Sequence, residues 1–268
     1  MVLPLGDLER TRIIPFVTYM LIAVNVTIFL VQQDRGEEFT RAFAMTPREV
    51  MHNEDLEGPV PRHIPMIERD ANGGARLIVR QEDLVHHPCP IPVRWTLLTS
   101  LFLHGSWLHL LGNMLSLWIF GDNVEEVLGS VGYLIVYLAC GVVGSLAQIA
   151  VNPYSNVPTV GASGAIAGVM GAYVLWFPRN RIRVLLVRFI TVLPAAIVIG
   201  VWIALQVWMG AGAFRRGGDE GGVAYMAHVG GAATGIFAAF LFAARARFIR
   251  QRNAAEEGWE AFEDPEPA

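Results

Sequence analysis

The stretch "VGASGAIAGVMGAY", residues 160–173, holds one serine, four glycines and no charge. Glycine destabilises a helix interior by about 1 kcal/mol relative to alanine, so four of them in an apolar run need a reason other than helix propensity. Gly161, Gly164, Gly168 and Gly171 recur every three or four residues along one stripe, and Gly231 and Gly235 in "AHVGGAATG" (227–235) form a second stripe. Small residues at this spacing let membrane helices approach to backbone contact. The pattern predicts two tightly packed apolar helices, with Ser163 at the mouth of one and His228 one turn before the stripe of the other. A serine in such a stripe is an ordinary packing residue. A histidine inside an apolar span is not, because an ionisable side chain buried there without a partner is costly.

Composition supports a membrane setting. Apolar residues make up 53% of the 268-residue chain and charged residues 16%, with a mean hydropathy of +0.43. Soluble domains run at about 45–50% apolar, so an ordinary soluble protein is excluded. Six apolar segments are candidate spans, at 13–31, 106–128, 131–151, 162–177, 184–209 and 223–244. The first is too long for the core of a signal peptide and runs into Gln-Gln-Asp-Arg (32–35) rather than a cleavage site, so it is expected to be retained. The fourth is stopped early by Phe177-Pro178 and falls short of the roughly 20 helical residues that cross the hydrocarbon. One of its ends must lie below the membrane surface. The expected fold is all-α and polytopic.

All 20 basic residues are arginines. Arg10 and Arg12 precede the first span, Arg179, Arg181, Arg183 and Arg188 lie between the fourth and fifth, and Arg245, Arg247, Arg250 and Arg252 follow the sixth. The connection between the third and fourth has none, and that between the fifth and sixth has Arg215 and Arg216 offset by Asp219 and Glu220. The positive-inside rule then places both termini in the cytoplasm, which requires an even number of spans. The expected organisation is a cytoplasmic N-terminus (1–12), a membrane domain (13–252) that includes an exported polar loop (32–94), and an acidic, disordered cytoplasmic tail (253–268). The loop has Pro/Gly breaks at Gly58-Pro59, Asn72-Gly73-Gly74 and His87-Pro88, and its "ARLIVRQEDLV" (75–85) reads as a strand pair or an amphipathic piece. His52, His63, His86 and His87 are expected on its surface, with the His86-His87 pair as a weak metal site the alternative. Cys89 and Cys140 are not expected to meet, so no disulfide framework or cysteine-based metal site is predicted.

With this topology the second, fourth and sixth spans all begin on the outer side. Gly105-Ser106 is a plausible N-cap for the second, which puts His109 in its first turn and Asn113 one turn deeper on the same face. His228 lies about five residues into the sixth span, roughly 7 to 8 Å down at 1.5 Å per residue. Packing through the glycine stripes brings the Ser163 hydroxyl and the His228 imidazole within hydrogen-bond reach, the arrangement in which histidine can take the serine proton. His104 is read as structural, holding the preceding loop to the helix. "GASGA" is G-x-S-G with no strand before it, so the G-x-S-x-G elbow of the α/β-hydrolases is excluded.

"HGSWLHLLGN" (104–113), "GDNVEEVLG" (121–129), "GASG" (161–164) and "AHVGG" (227–231), in this order, resemble the rhomboid intramembrane serine proteases. The resemblance implies a bundle of six transmembrane helices with a short central helix 4. It implies Ser163 as nucleophile, His228 as general base in a dyad without an acidic third member, and an oxyanion hole from His109, Asn113 and the Ser163 backbone N–H. Gly161, Gly164 and Gly231 would support the site, and Glu125 matches a structural family glutamate. The fifth span, with Trp202 and Trp208, would flank a lateral entrance, and the connection "NPYSNVPTV" (152–160) would wall the opening to water. The implied function is hydrolysis of peptide bonds in or near transmembrane segments of membrane-anchored substrate proteins. No metal, organic cofactor or nucleic-acid partner is expected, and the Arg-only basic usage with much alanine and glycine points to a GC-rich bacterium, hence to its inner membrane as the expected location.

The chain departs from the family pattern at Ala167, where many members carry an aromatic residue that packs on the catalytic histidine. The Trp-Arg pair of the family's first loop appears here as Trp95-Thr96 with Arg94 before it. Two other classes compete with a protease. A silent binder of membrane helices usually lacks the serine or the histidine, and both are present. A transporter with a histidine relay predicts charged partners within the spans, which are few.

Overall fold

The computed structural model describes residues 2–9, 11–69, 74–215 and 223–263. Arg10, Asn72, Gly73, Arg216, Asp219 and Glu220, and positions 264–268 of the tail, lie outside them. In chain order the elements are β1 (Val2–Asp7), α1 (Phe16–Phe43), α2 (Pro47–His52), β2 (Gly58–Arg69), β3 (Ala75–His86), α3 (Thr96–Thr99), α4 (Trp107–Leu128), α5 (Ser130–Val151), α6 (Ser163–Trp176), β4 (Arg181–Leu186), β5 (Phe189–Pro194), α7 (Ala195–Arg215), α8 (Tyr225–Leu241) and α9 (Ala243–Glu263).

Helices α1, α4, α5, α6 and α8 cover five of the apolar segments, and α7 covers only the part of the fifth segment from Ala195 onward. Among the described residues α1, α5 and α7 are each long and apolar enough to cross a membrane, and α8 with the first part of α9, across a 73° bend, makes a fourth if the pair is one span. Helix α6 is too short at 14 residues, and α4 is interrupted by His109, Asn113, Asp122 and Asn123. The protein is a mainly helical, multi-pass integral membrane protein. Helix α6 is buried continuously from Gly164 to Tyr173, with α4, α5, α7 and α8 packed around it. A helix that is apolar on every face can hide in this way, and its shortness follows from the Phe177-Pro178 stop.

Helix boundaries follow local chemistry. The Ser106 hydroxyl accepts the His109 backbone N–H at 3.1 Å and starts α4. Gly129, at φ +70°, sends its N–H back to the Glu125 carbonyl and turns the chain directly into α5. Helix α1 has no cap of its own, since Pro15 precedes it. Its first turn is instead capped across the bundle by the fully buried Glu125 carboxylate. This accepts the Val17 N–H at 3.0 Å, the Thr18 N–H at 2.8 Å, the Thr18 hydroxyl at 2.9 Å and the Ser130 hydroxyl at 2.7 Å.

The expectation of an all-α chain is corrected, because the described residues also form two small antiparallel sheets. One has the order β1-β4-β5 and the other is the β2–β3 hairpin. Residues 181–194, partly assigned from sequence to the fifth span beginning at 184, are the β4–β5 hairpin, and the helix begins only after Pro194. In β4 the buried Ile182 and Val184 alternate with exposed Arg181 and Arg183, the period of two that a strand needs. The N-terminal segment joins this sheet as β1. Tyr173, at the end of α6, donates its hydroxyl to Asp7, which also accepts Asn123 Nδ2 at 3.1 Å. Burial pushes the Asp7 carboxyl above its ordinary pKa despite the hydrogen bond from Tyr173.

At the opposite end the loop 32–94 is largely structured. Helix α1 continues to Phe43 through a break at Gly36 (φ +79°), and Met45 forms an isolated bridge with Thr159. "ARLIVRQEDLV" lies in β3, paired along its length with β2. His86 is not a surface residue: it is buried, with Nδ1 3.3 Å from the buried Glu49 Oε1. Among the described residues no cluster of histidine, cysteine or acidic side chains could hold a metal, and both cysteines are free. Helix α9 runs from Ala243 to Glu263, into the segment expected to be the acidic tail.

Glu125→Ala leaves several buried donors of α1 without an acceptor, at a cost of about 2–3 kcal/mol, so the unfolding midpoint in detergent falls measurably. An unchanged midpoint would show that α1 does not depend on this cap.

Candidate active site

Ser163 is the first residue of α6. Its Oγ lies 2.7 Å from His228 Nε2, which is carried by the first turn of α8. The glycine stripes account for this proximity. A Cβ at Gly231 would sit 1.9 Å from the Gly164 carbonyl oxygen, and one at Gly235 would sit 1.8 Å from that of Gly168. Seen from α6, a Cβ at Gly171 would be 2.5 Å from the Ala232 carbonyl, whereas one at Gly164 would meet Ala227 at an ordinary 3.4 Å. Helix α5 closes the third side, where Gly144 faces the Ala227 carbonyl and Cys140 fills the space beside Gly168.

Gly161 is the stripe member that does not touch α8. It adopts φ +131°, and a Cβ there would come 2.8 Å from the His109 ring, so both backbone and space require glycine. His109 thus lies against the turn that leads into Ser163. The edge of its ring faces His104, with centroids 5.1 Å apart. Asn113 is turned toward His104 as well, its Nδ2 2.9 Å from His104 Nε2. One amide hydrogen is used there and the second remains. His104 is tied to α1, since its N–H is accepted by Gln32 Oε1 at 3.0 Å and its carbonyl accepts Gln32 Nε2 at 3.2 Å. This double clasp anchors the loop before α4, while Trp95 stands exposed.

Ser163, His228, His109 and Asn113 all line one cavity of about 1120 Å³. It reaches Pro47 and Asn152 at one end and Leu3 of β1 at the other, running between α4 and α7 past Ser116 and Val201. As the first helical residue, Ser163 has a backbone N–H without an intrahelical acceptor, at the positive end of the helix. The cavity therefore presents a hydroxyl bonded to an imidazole and several N–H donors at one place.

Residues 93–245, more than half of the chain, match the Rhomboid domain. The chain belongs to the rhomboid family. It is 37% identical over 145 residues to "Rhomboid protease GluP" of Bacillus subtilis, covering 54% of this chain and 25% of that protein. It is 30% identical over 165 residues to "Rhomboid protein 1, mitochondrial" of Saccharomyces cerevisiae, covering 59% and 44%. "Putative rhomboid protease YdcA" of Bacillus subtilis is 33% identical over 114 residues, covering 42% and 52%. The chain thus spans from a quarter to about half the length of these relatives.

One residue at the rhomboid site was missed from sequence, and another was expected in a different place. Gln206 of α7 places Oε1 2.7 Å from His228 Nδ1, and Trp202, one turn earlier and expected from the resemblance only at the lateral entrance, packs against the same ring with centroids 5.5 Å apart. The available signal was a lone glutamine in the apolar run 195–214, which should find a partner in a bilayer.

Because the steric demand is greatest at Gly231 and mild at Gly164, Gly231→Ala lowers the unfolding midpoint more than Gly164→Ala does. The reverse order, measured in the same detergent, would contradict this packing.

Proposed function

We propose that the protein is an intramembrane serine endopeptidase, hydrolysing peptide bonds in or near transmembrane segments of membrane-anchored substrate proteins. The observation that carries this reading is the 2.7 Å hydrogen bond between Ser163 and His228 inside a cavity that opens between helices. Membership of a family whose relatives include named proteases supports it.

In this mechanism His228 Nε2 takes the Ser163 proton as Oγ attacks the scissile carbonyl carbon, and later gives it to the leaving amine. Water then attacks the acyl-enzyme carbonyl, with the same nitrogen as base, and releases the acid and the free serine. Negative charge develops on the carbonyl oxygen in both steps. His109, the remaining Asn113 amide hydrogen and the Ser163 backbone N–H are the donors proposed for it, and such donors contribute roughly 2.7–4 kcal/mol each in a water-poor site. His104 and the Gln32 clasp hold Asn113 in place, and Gly161 gives His109 its room.

A substrate segment enters sideways between α4 and α7 and unwinds to expose its carbonyl, while water arrives from the end lined by Asn152. In the proposed topology all six helices span or enter the bilayer and both termini are cytoplasmic. The β1-β4-β5 sheet, with Arg181 and Arg183, then lies on the cytoplasmic side, and the β2–β3 hairpin is exported. The chemistry calls for no metal or organic cofactor.

Ser163→Ala and His228→Ala each abolish cleavage of a single-span reporter substrate by the purified protein, and the double variant is no worse than either, because the pair acts as a unit. Near-normal turnover by folded Ser163→Ala would overturn the reading.

A further inference from the structure

A general base must present one particular nitrogen, in the acceptor state, to the serine hydroxyl, so the His228 ring needs something to fix its tautomer and plane. Neutral histidine has two tautomers. Only the one protonated at Nδ1 leaves Nε2 free to take the Ser163 proton.

The surroundings of His228 show what selects it. Helix α7 contributes two residues one turn apart on the same face. The Trp202 ring packs against the imidazole, with centroids 5.5 Å apart and the planes tilted by 36°. Gln206 is buried, and its amide oxygen accepts from Nδ1 at 2.7 Å. The other elements offer no substitute. Helix α6 presents the neutral Ser163, and α5 presents Gly144 to the turn before His228. Among the described residues the other ionisable side chain acting on the ring is His109 of α4. No carboxylate bonds to it there.

We infer that Gln206 is a positioning residue for the base: its amide oxygen holds His228 in the Nδ1–H tautomer while Trp202 fixes the ring plane, so that α7 supplies the orientation an acidic third member would give elsewhere. The inference rests on the reading of His228 as general base. An amide suits this place because it accepts a hydrogen bond without bringing a full charge into the membrane. It also stabilises the imidazolium formed during the reaction less than a carboxylate does, so replacing the amide by an acid must leave a mark on pH dependence.

The test uses the full chain in proteoliposomes with a single-span reporter substrate, and compares Gln206→Leu, Gln206→Glu and His228→Ala. Gln206→Leu is expected to lower kcat by about 10- to 100-fold, as loss of an orienting partner typically does, with KM within about twofold of the wild-type value. Gln206→Glu is expected to stay active while the acid limb of its kcat/KM profile moves to higher pH by about one to three units, because the carboxylate keeps the base protonated longer. Wild-type kcat in Gln206→Leu, or an unshifted acid limb in active Gln206→Glu, would overturn the inference. If Gln206→Leu does not fold, the pH profile of Gln206→Glu decides alone, and an inactive but folded Gln206→Glu also counts against it. Activity remaining in His228→Ala would instead overturn the underlying assignment of the base, which keeps the two failures apart.

Discussion

The geometry of the site depends on backbone-to-backbone contact between α6 and α8. Carbonyl oxygens of Gly164 and Gly168 occupy the places where Cβ atoms of residues 231 and 235 would be. No side chain intervenes at these positions, so the two backbones touch and residues at the helix ends meet directly. In a bilayer this packing cannot rely on the hydrophobic effect, because lipid tails are as apolar as the side chains they would displace. Close approach through glycine supplies van der Waals contact instead, and the serine and histidine at the open end inherit their 2.7 Å separation from it.

The rest of the molecule secures that pair from both ends. Below α6, Tyr173 bonds to Asp7 and Asn180 Nδ2 donates to the Tyr173 hydroxyl at 3.0 Å, so the strand β1 and the turn after α6 are joined. On the same side Glu125 fixes α1 to α4. At the other end the Gln32 clasp on His104, the Met45–Thr159 bridge and the buried His86–Glu49 pair tie α1 and the hairpin arm to the rim of the cavity. Helix α7 is the least enclosed wall, with 22% of its apolar window buried against 33% for α1 and α5. This is the wall that carries Trp202 and Gln206.

What was legible in the sequence was whatever has a local signature. Apolar length pointed to long apolar helices such as α1, α5 and α7, and the glycine period gave the contact between α6 and α8. The Ser106 cap gave the start of α4. The β4–β5 hairpin escaped because its Ile-x-Val alternation sits inside a longer apolar run, where hydropathy averages over it; Pro194 was the boundary that mattered. Strand β1 escaped because six residues pair only with a partner far along the chain. His86 looked like a surface histidine because its burial depends on Glu49, 37 positions earlier, being brought to it by the fold. Gln206 carried a readable signal, but which atom it would meet depended on how α7 packs.

The central claim is that glycine packing, rather than any side chain between the helices, brings the proposed base His228 to the proposed nucleophile Ser163. Fluorophosphonate labelling of the purified protein, mapped by mass spectrometry, tests it most directly. The probe should attach at Ser163, and Gly235→Ala, which changes a residue remote from the reacting atoms, should slow that labelling by an order of magnitude or more, since an oversized contact separates α8 from α6. Labelling at another serine, or wild-type labelling of Ser163 in folded Gly235→Ala, would contradict the account.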